Sequence, residues 1–205
     1  MEIGLYTWKQ RSKIFYVVLI ILLGGCYQPP KQNTTITFPF TKELRSGNLV
    51  CRLGNGYFSN YFRKYASKEK KYSHIGLVSI ENDTIFVYHS EASELTGVGF
   101  VKKEPLSLFL NGIKTFDFFN INLDDTIVNG IVENSRNYHL IHTPFDLEFD
   151  SFEDDELYCT ELLAFSINKA THNNTIKPSL ELNHKKLYSL DDIYSNEIMS
   201  KITFK

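Results

Sequence analysis

Leu157-Tyr158-Cys159-Thr160-Glu161-Leu162-Leu163 is the stretch on which the reading of this chain turns. A cysteine stands where an acidic loop gives way to an apolar, helix-prone run. The pattern predicts a helix over 157–168, with Cys159, Leu162, Leu163, Ser166 and Ile167 on its inward face. Six carboxylates precede it: Glu148, Asp150, Glu153, Asp154, Asp155 and Glu156. Their spacing does not match an EF-hand loop, which also needs a central glycine, so a solvated loop is expected rather than a calcium site. Asp154 or Asp155 is placed to cap the helix, where negative charge is favoured.

A thiol in the first turn of a helix has a distinct chemistry. A free cysteine, with a pKa of about 8.5, is mostly protonated at neutral pH. Unpaired N–H groups and the helix dipole there favour the thiolate. The same N–H groups can hold the oxyanion of a tetrahedral intermediate. Cys159 is therefore the candidate nucleophile, with a thiolate-favouring site expected. A buried structural cysteine fits the residue type as well. Tyr158 and Glu161 are candidate supporting residues, and Glu161 either braces the helix start or faces the cleft.

The partner comes from Tyr72-Ser73-His74-Ile75-Gly76-Leu77-Val78. Residues 74–80 and 84–89 read as two strands joined by a turn at Glu81-Asn82-Asp83. A two-residue turn at Asn82-Asp83 sets Glu91 opposite His74 and His89 diagonal to it on the same face. A slip of one residue would send His89 to the other face. His74 is the candidate general base and then acid, with a satisfied, partly buried histidine as the alternative. His89 is the candidate orienting residue and Glu91 the runner-up. Metal binding by His74, His89 and Cys159 lacks a further ligand spaced for structural zinc, and no metal or cofactor is expected.

Around these stretches, strands are expected at 48–53, 98–102 and 115–123, and a helix from Asp124 or Asp125 to about Tyr138. Short helical turns are expected at 106–110 and 191–194, and loops at 68–71 and 143–146. Phe58, Tyr61, Phe62 and Tyr65 recur at helical spacing, which predicts a short amphipathic helix over 57–67. The 205 residues are 42% hydrophobic and 14% aromatic, which suits one globular domain plus a targeting segment. A net charge of -2 gives no reason to expect nucleic acid as a partner. Three cysteines without a Cys-x-x-Cys pair argue against a disulfide scaffold or zinc knuckle. Cys51 reads as a small buried apolar residue, with a Cys51–Cys159 disulfide as the alternative.

At the N-terminus, Lys9, Arg11 and Lys13 precede an apolar run at 14–23, too short for the roughly 20 residues that span a bilayer. Leu23-Gly24-Gly25-Cys26 then matches a bacterial lipobox. The expectation is a lipoprotein signal peptide over 1–25, lipidation at Cys26, a flexible tether over 26–41 holding three of the six prolines, and a domain over 42–205, with an uncleaved N-terminal anchor helix and an incidental Cys26 as the alternative. The protein is thus expected in the bacterial cell envelope, held to a membrane by its N-terminal lipid anchor.

Ser46-Gly47-Asn48-Leu49-Val50, Tyr72-Ser73-His74-Ile75-Gly76, Val87-Tyr88-His89-Ser90, Thr143-Pro144-Phe145-Asp146 and Leu157-Tyr158-Cys159-Thr160-Glu161-Leu162 together resemble the YiiX/YebB-like proteins. These are circularly permuted relatives of the NlpC-type papain-like cysteine hydrolases, and here too His74 precedes Cys159. The resemblance implies an α+β, permuted papain-like fold with a small antiparallel sheet packed against the nucleophile helix. It implies Cys159 as nucleophile, His74 as base and His89 as the orienting residue. It also implies hydrolysis or acyl transfer at an amide, in a cell-wall peptide or a lipid acyl-amide, through a Cys159 thioester. The alternative is a non-catalytic lipoprotein of the same fold that binds a lipid or wall fragment. Asn48 and Phe145 stand where the pattern favours Asp and Tyr.

Overall fold

The computed structural model describes residues 39–54, 59, 63–64, 68–149, 153–182 and 184–204. The chain divides into two units, Met1–Ile36 and Thr37–Lys205. The signal peptide, Cys26 and the ring positions Phe58, Tyr61, Phe62 and Tyr65 all lie outside the described residues. Among those described, no helix is long and apolar enough to cross a membrane. A 3-10 turn at Pro39–Glu43 opens the described chain. Phe40 there stacks on Phe204 at 4.6 Å, so the aromatic packing begins inside the stretch read as tether.

Eight strands and four helices follow among the described residues: β1 (Leu49–Arg52), β2 (His74–Glu81), β3 (Thr84–Ala92), β4 (Gly99–Pro105), α1 (Leu106–Phe109), β5 (Phe116–Ile121), α2 (Asp125–Leu140), α3 (Cys159–Thr171), β6 (Leu180–Leu182), β7 (Lys185–Leu187), α4 (Leu190–Tyr194) and β8 (Met199–Lys201). Six strands form an antiparallel sheet in the order β4-β3-β2-β1-β5-β8, which makes the fold α+β. β6 and β7 form a separate hairpin, and neither they nor β8 were expected from the sequence. Each is three residues long, too short to show alternation.

Strand alternation divides the core between the two sheet faces. Leu49, Cys51, Ile75, Leu77 and Tyr88 pack with Ile131, Cys159, Leu163 and Ile167 of α2 and α3. Val50, Val78, Val87 and Phe118 pack on the other face with Leu106, Phe109 and Leu110. The helices α2 and α3 are joined by Ser135 Oγ and Ser166 Oγ at 2.9 Å and by Asn134 Nδ2 donating to the Ser166 carbonyl. Gly47, at φ +90°, lets β1 enter beneath α2, since a Cβ there would stand 2.1 Å from Val128 Cγ1.

The β2–β3 hairpin has the expected register. Asn82 and Asp83 both take positive φ, 48° and 61°, as a type I′ turn requires. Glu81 pairs with Thr84 and Leu77 with Tyr88, without a slip. β4 departs from expectation by reaching Pro105 instead of stopping at Lys102. Its outer edge is covered by the 143–146 segment, where Val101 N–H donates to the Thr143 carbonyl and Phe145 N–H to the Gly99 carbonyl.

Candidate functional site

The start of α3 is clamped from several directions. Helix geometry begins at Cys159, two residues later than expected, with Tyr158 as N-cap. The Tyr158 N–H donates to Glu161 Oε2 at 3.1 Å. Glu161 is 1% exposed, so it braces the helix start. The Tyr158 hydroxyl accepts from the Tyr188 N–H at 2.8 Å, and Thr160 Oγ1 donates to the Tyr188 carbonyl at 2.7 Å. Leu157 N–H donates to the Pro144 carbonyl, and Ser90 Oγ donates to the Leu157 carbonyl. The expected aspartate cap is therefore incorrect: Asp154 instead accepts from the Tyr138 hydroxyl at 2.7 Å. On α2, Asp124 does occupy the N-cap position, but its side chain makes no capping bond.

The imidazoles meet on the opposite face of the sheet. His74 Nε2 and His89 Nδ1 are 2.9 Å apart, as the diagonal pairing requires. A Cβ at position 76 would stand 2.4 Å from Val87 Cγ1 and 3.2 Å from His89 Cβ, so Gly76 is what lets His89 sit so close. Phe109 floors the pair, with ring centroids 5.7 Å from His74 and 5.0 Å from His89. Arg52 lies over the same ring and pairs with Glu91 at 2.7 Å. Glu91 therefore serves Arg52, and also Lys102 at 3.3 Å, rather than either imidazole.

Sequence reasoning missed Glu104. Its Oε1 lies 2.8 Å from His89 Nε2, although off the line of a straight hydrogen bond. The signal was there: β3 and β4 pair His89 with Lys102, so Glu104 is the diagonal neighbour of His89. Ending β4 at Lys102 concealed it. Arg52 and Phe109 were missed too: the β1–β2 register sets Arg52 opposite His74, and the packing of α1 on the sheet brings Phe109 beneath both imidazoles.

His74 and Cys159 border one cleft of about 140 Å³. It lies at the end of the sheet, where Ser73 and His74 open β2 and Glu91 and Ala92 close β3, and so it reaches both faces. Phe145, Leu147, Phe149 and Tyr158 give it an apolar lining, and Arg52, Ser73, Ser90 and Glu91 a polar one. His74 Nε2 is taken by His89, which leaves Nδ1 as the available ring nitrogen. Among the described residues, no hydrogen bond joins Cys159 Sγ to either imidazole.

Electrostatics here reverse one expectation. Burial pushes the Cys159 thiol up to about 12, and Glu91 adds to this. The N–H groups of Ile75, Thr160 and Cys159 itself oppose the shift without overcoming it. The helix start thus does not yield a resting thiolate, because desolvation of the anion outweighs three N–H donors. Burial also lowers His74 well below the usual histidine range, with Arg52, His89 and Lys102 acting in the same direction. His89 is lowered by burial although Glu104 and Glu91 oppose it. The resting site holds a neutral thiol and two neutral rings. Cys51 is buried and unbridged, as its apolar context suggests, and the disulfide alternative does not hold.

The neutral rings have a consequence for stability. Below about pH 6.5, the ordinary value for a histidine, the unfolded chain takes up protons at His74 and His89 that the folded chain refuses. Stability is therefore fully present above that pH and falls below it, by about 1.4 kcal/mol per pH unit for each ring that stays neutral. Urea unfolding at pH 7.5 and pH 5 is expected to show the fall, and His74→Gln to reduce it by about half. Equal stability at the two pH values would refute it.

His89, Glu91 and Glu104 also form a donor set, with one ligand atom from each lying within 4.8 Å of the others. His89 is fully buried and its Nε2 has no well-formed hydrogen bond, while both carboxylates are partly open. One imidazole and two carboxylates suit a borderline divalent ion. This set is not the one weighed from the sequence, which contained His74 and Cys159.

No protein-family model and no curated protein matches this chain. Among solved structures, it is similar to the metalloprotein yiiX from Escherichia coli O157:H7, DUF1105. The two share 14% identity and a TM-score of 0.64, over 78% of this chain and 97% of that one. The likeness establishes a YiiX-like fold.

Proposed function

We propose that this chain, built on a YiiX-like fold, is an envelope cysteine hydrolase or acyltransferase that acts on an amide through a Cys159 thioester. The observation that carries the reading is the shared cleft, which Cys159 enters from the first turn of α3 and His74 from the start of β2. A proton on His89 Nε2, facing Glu104, leaves Nδ1 to accept from His74 Nε2–H. His74 Nδ1 then carries a lone pair. It takes the Cys159 proton as sulfur attacks the carbonyl carbon, and the N–H groups of Ile75, Cys159 and Thr160 favour the negative charge on sulfur as it develops. The tetrahedral intermediate collapses, the C–N bond breaks, and His74 returns the proton to the leaving amine. Water, deprotonated by His74, releases the acid from the thioester and restores the thiol. His89 and Glu104 act through His74 and are positioning residues.

Phe145, Leu147, Phe149 and Tyr158 favour an acyl chain over a polar wall peptide as the group retained on sulfur. The proposed lipid anchor at Cys26 would hold the domain near such substrates. The YiiX neighbour is described as a metalloprotein, and in this chain His89, Glu91 and Glu104 are the residues that would hold an ion. Such an ion would supply Lewis acidity and charge beside the imidazoles.

Intact-mass and peptide spectrometry of protein purified from membranes and exposed to an N-acyl or thioester lipid probe tests the proposal. The expected result is an acyl adduct on Cys159 that hydroxylamine removes. Cys159→Ala is expected to abolish it and His74→Ala to slow it at least about a hundredfold, within the range for a general base. The same spectra are expected to show acylation at Cys26. Adduct formation that ignores both substitutions would eliminate the thioester mechanism. A second reading, a lipid- or wall-fragment-binding module, is favoured by the burial of the thiol, and saturable probe binding without any adduct would establish it.

A further inference from the structure

We infer that His89 Nε2, Glu104 and Glu91 bind one divalent transition-metal ion of the zinc class, and that its binding reverses the hydrogen bond between His89 and His74. The reversal rests on the catalytic reading for its consequence, whereas the binding does not.

Three observations support the site. The ligand atoms lie within 4.8 Å of one another, whereas donors around a tetrahedral zinc with bonds of about 2.0–2.1 Å are about 3.4 Å apart. Small side-chain adjustments close that difference, and His89 Nε2 and Glu104 Oε1 are already 2.8 Å apart. His89 Nε2 is fully buried, lacks a well-formed hydrogen bond, and faces Glu104 Oε1, with a Glu91 oxygen within 4.8 Å. Its other nitrogen is engaged by His74, as a ligating histidine's second nitrogen usually is by an outer partner. Arg52 at 2.7 Å and Lys102 at 3.3 Å compete for Glu91, so Glu104 and His89 are the primary ligands and Glu91 completes the set when Lys102 swings away.

The consequence follows from proton count on the rings. The catalytic reading requires the metal-free form to carry the His89 proton on Nε2, so that its Nδ1 accepts from His74 Nε2–H across the 2.9 Å contact. A ligating Nε2 cannot carry that proton, so His89 holds it on Nδ1 and donates to His74 Nε2. His74 then holds its own proton on Nδ1, the nitrogen left for the cleft, and can no longer accept one from Cys159. The ligand set would thus turn the base off from the side away from the thiol.

The test uses detergent-solubilised full-length protein stripped with a chelator. Titration with Co²⁺ is expected to show one saturable equivalent with a nitrogen and oxygen ligand field and no thiolate charge-transfer band. Affinity is expected to fall at least about tenfold in Glu104→Gln and in Glu91→Gln, and to be unchanged in Cys159→Ala. Imidazole nitrogen shifts are expected to move the His74 proton from Nε2 to Nδ1 when Zn²⁺ is added. Co²⁺ affinity indifferent to both glutamate variants, or a thiolate band lost in Cys159→Ala, would overturn the site. An unmoved His74 proton with one bound equivalent would overturn the reversal. Intact Co²⁺ binding without any acyl adduct would instead remove the catalytic reading and leave the metal site standing.

Discussion

Iodoacetamide is expected to alkylate Cys159 at pH 7 about three orders of magnitude more slowly than a free cysteine. The alkylating species is the thiolate. Burial pushes the Cys159 thiol up to about 12, against about 8.5 for a free thiol, so its thiolate fraction at neutral pH falls by that factor. The rate should rise about tenfold for each pH unit, with no plateau below pH 10. It should change little in His74→Ala, because the neutral ring lends no charge to the resting sulfur. Peptide mapping across pH separates Cys159 from the buried Cys51, whose thiol is raised by burial and by Asp117. Rapid labelling below pH 7, slowed by His74→Ala, would mean that a thiolate–imidazolium pair exists at rest. It would then be the helix start, and not burial, that governs the sulfur.

Phe109→Ala is expected to cost about 3–5 kcal/mol of stability, the range for removing a buried ring. Phe109 is fully buried and packs against Val78, Val87 and Phe118 on the α1 side of the sheet. Its ring also lies 4.2 Å from the Arg52 guanidinium carbon, and its carbonyl accepts from Arg52 Nη1. Removing the ring opens a cavity directly beneath His74 and His89. Urea unfolding should show a lower midpoint with an unchanged slope. The acyl adduct on Cys159 should also form more slowly at temperatures where the variant remains folded, since the imidazoles lose their floor. A loss under about 1 kcal/mol would mean that the neighbouring Leu106 and Leu110 collapse into the space.

The two results bear on different parts of the sequence reading. The β2–β3 hairpin was legible because Asn82-Asp83 encodes a two-residue turn and the flanking residues are β-formers. Register then follows from counting, which puts His89 beside His74. The inward face of α3 was legible for a similar reason, since Leu162, Leu163, Ser166 and Ile167 share one helical stripe and all are buried. Glu104 was not legible, because Lys102-Lys103-Glu104-Pro105 hides a strand behind charge and a proline. Proline is tolerated at the end of β4, where it costs no central ladder bond. The aspartate cap on α3 failed because Tyr138, far away in sequence, takes Asp154.

What the sequence determined by itself was local and periodic: the hairpin and its register, the helical stripe and the order of histidine before cysteine; the α+β class was what the family resemblance implied. Tertiary structure alone decided what surrounds each ionisable group. Desolvation depends on every atom packed nearby, and here Tyr158, Phe149 and the sheet enclose a thiol that its helix position alone would have left as a thiolate. Strand pairing sets Glu104 and Arg52 beside the two neutral rings, and packing sets Phe109 beneath them. Pairing rules act between neighbours along a chain or across a strand, so they show which residues can meet. The charge those residues carry is set by burial, which the fold supplies.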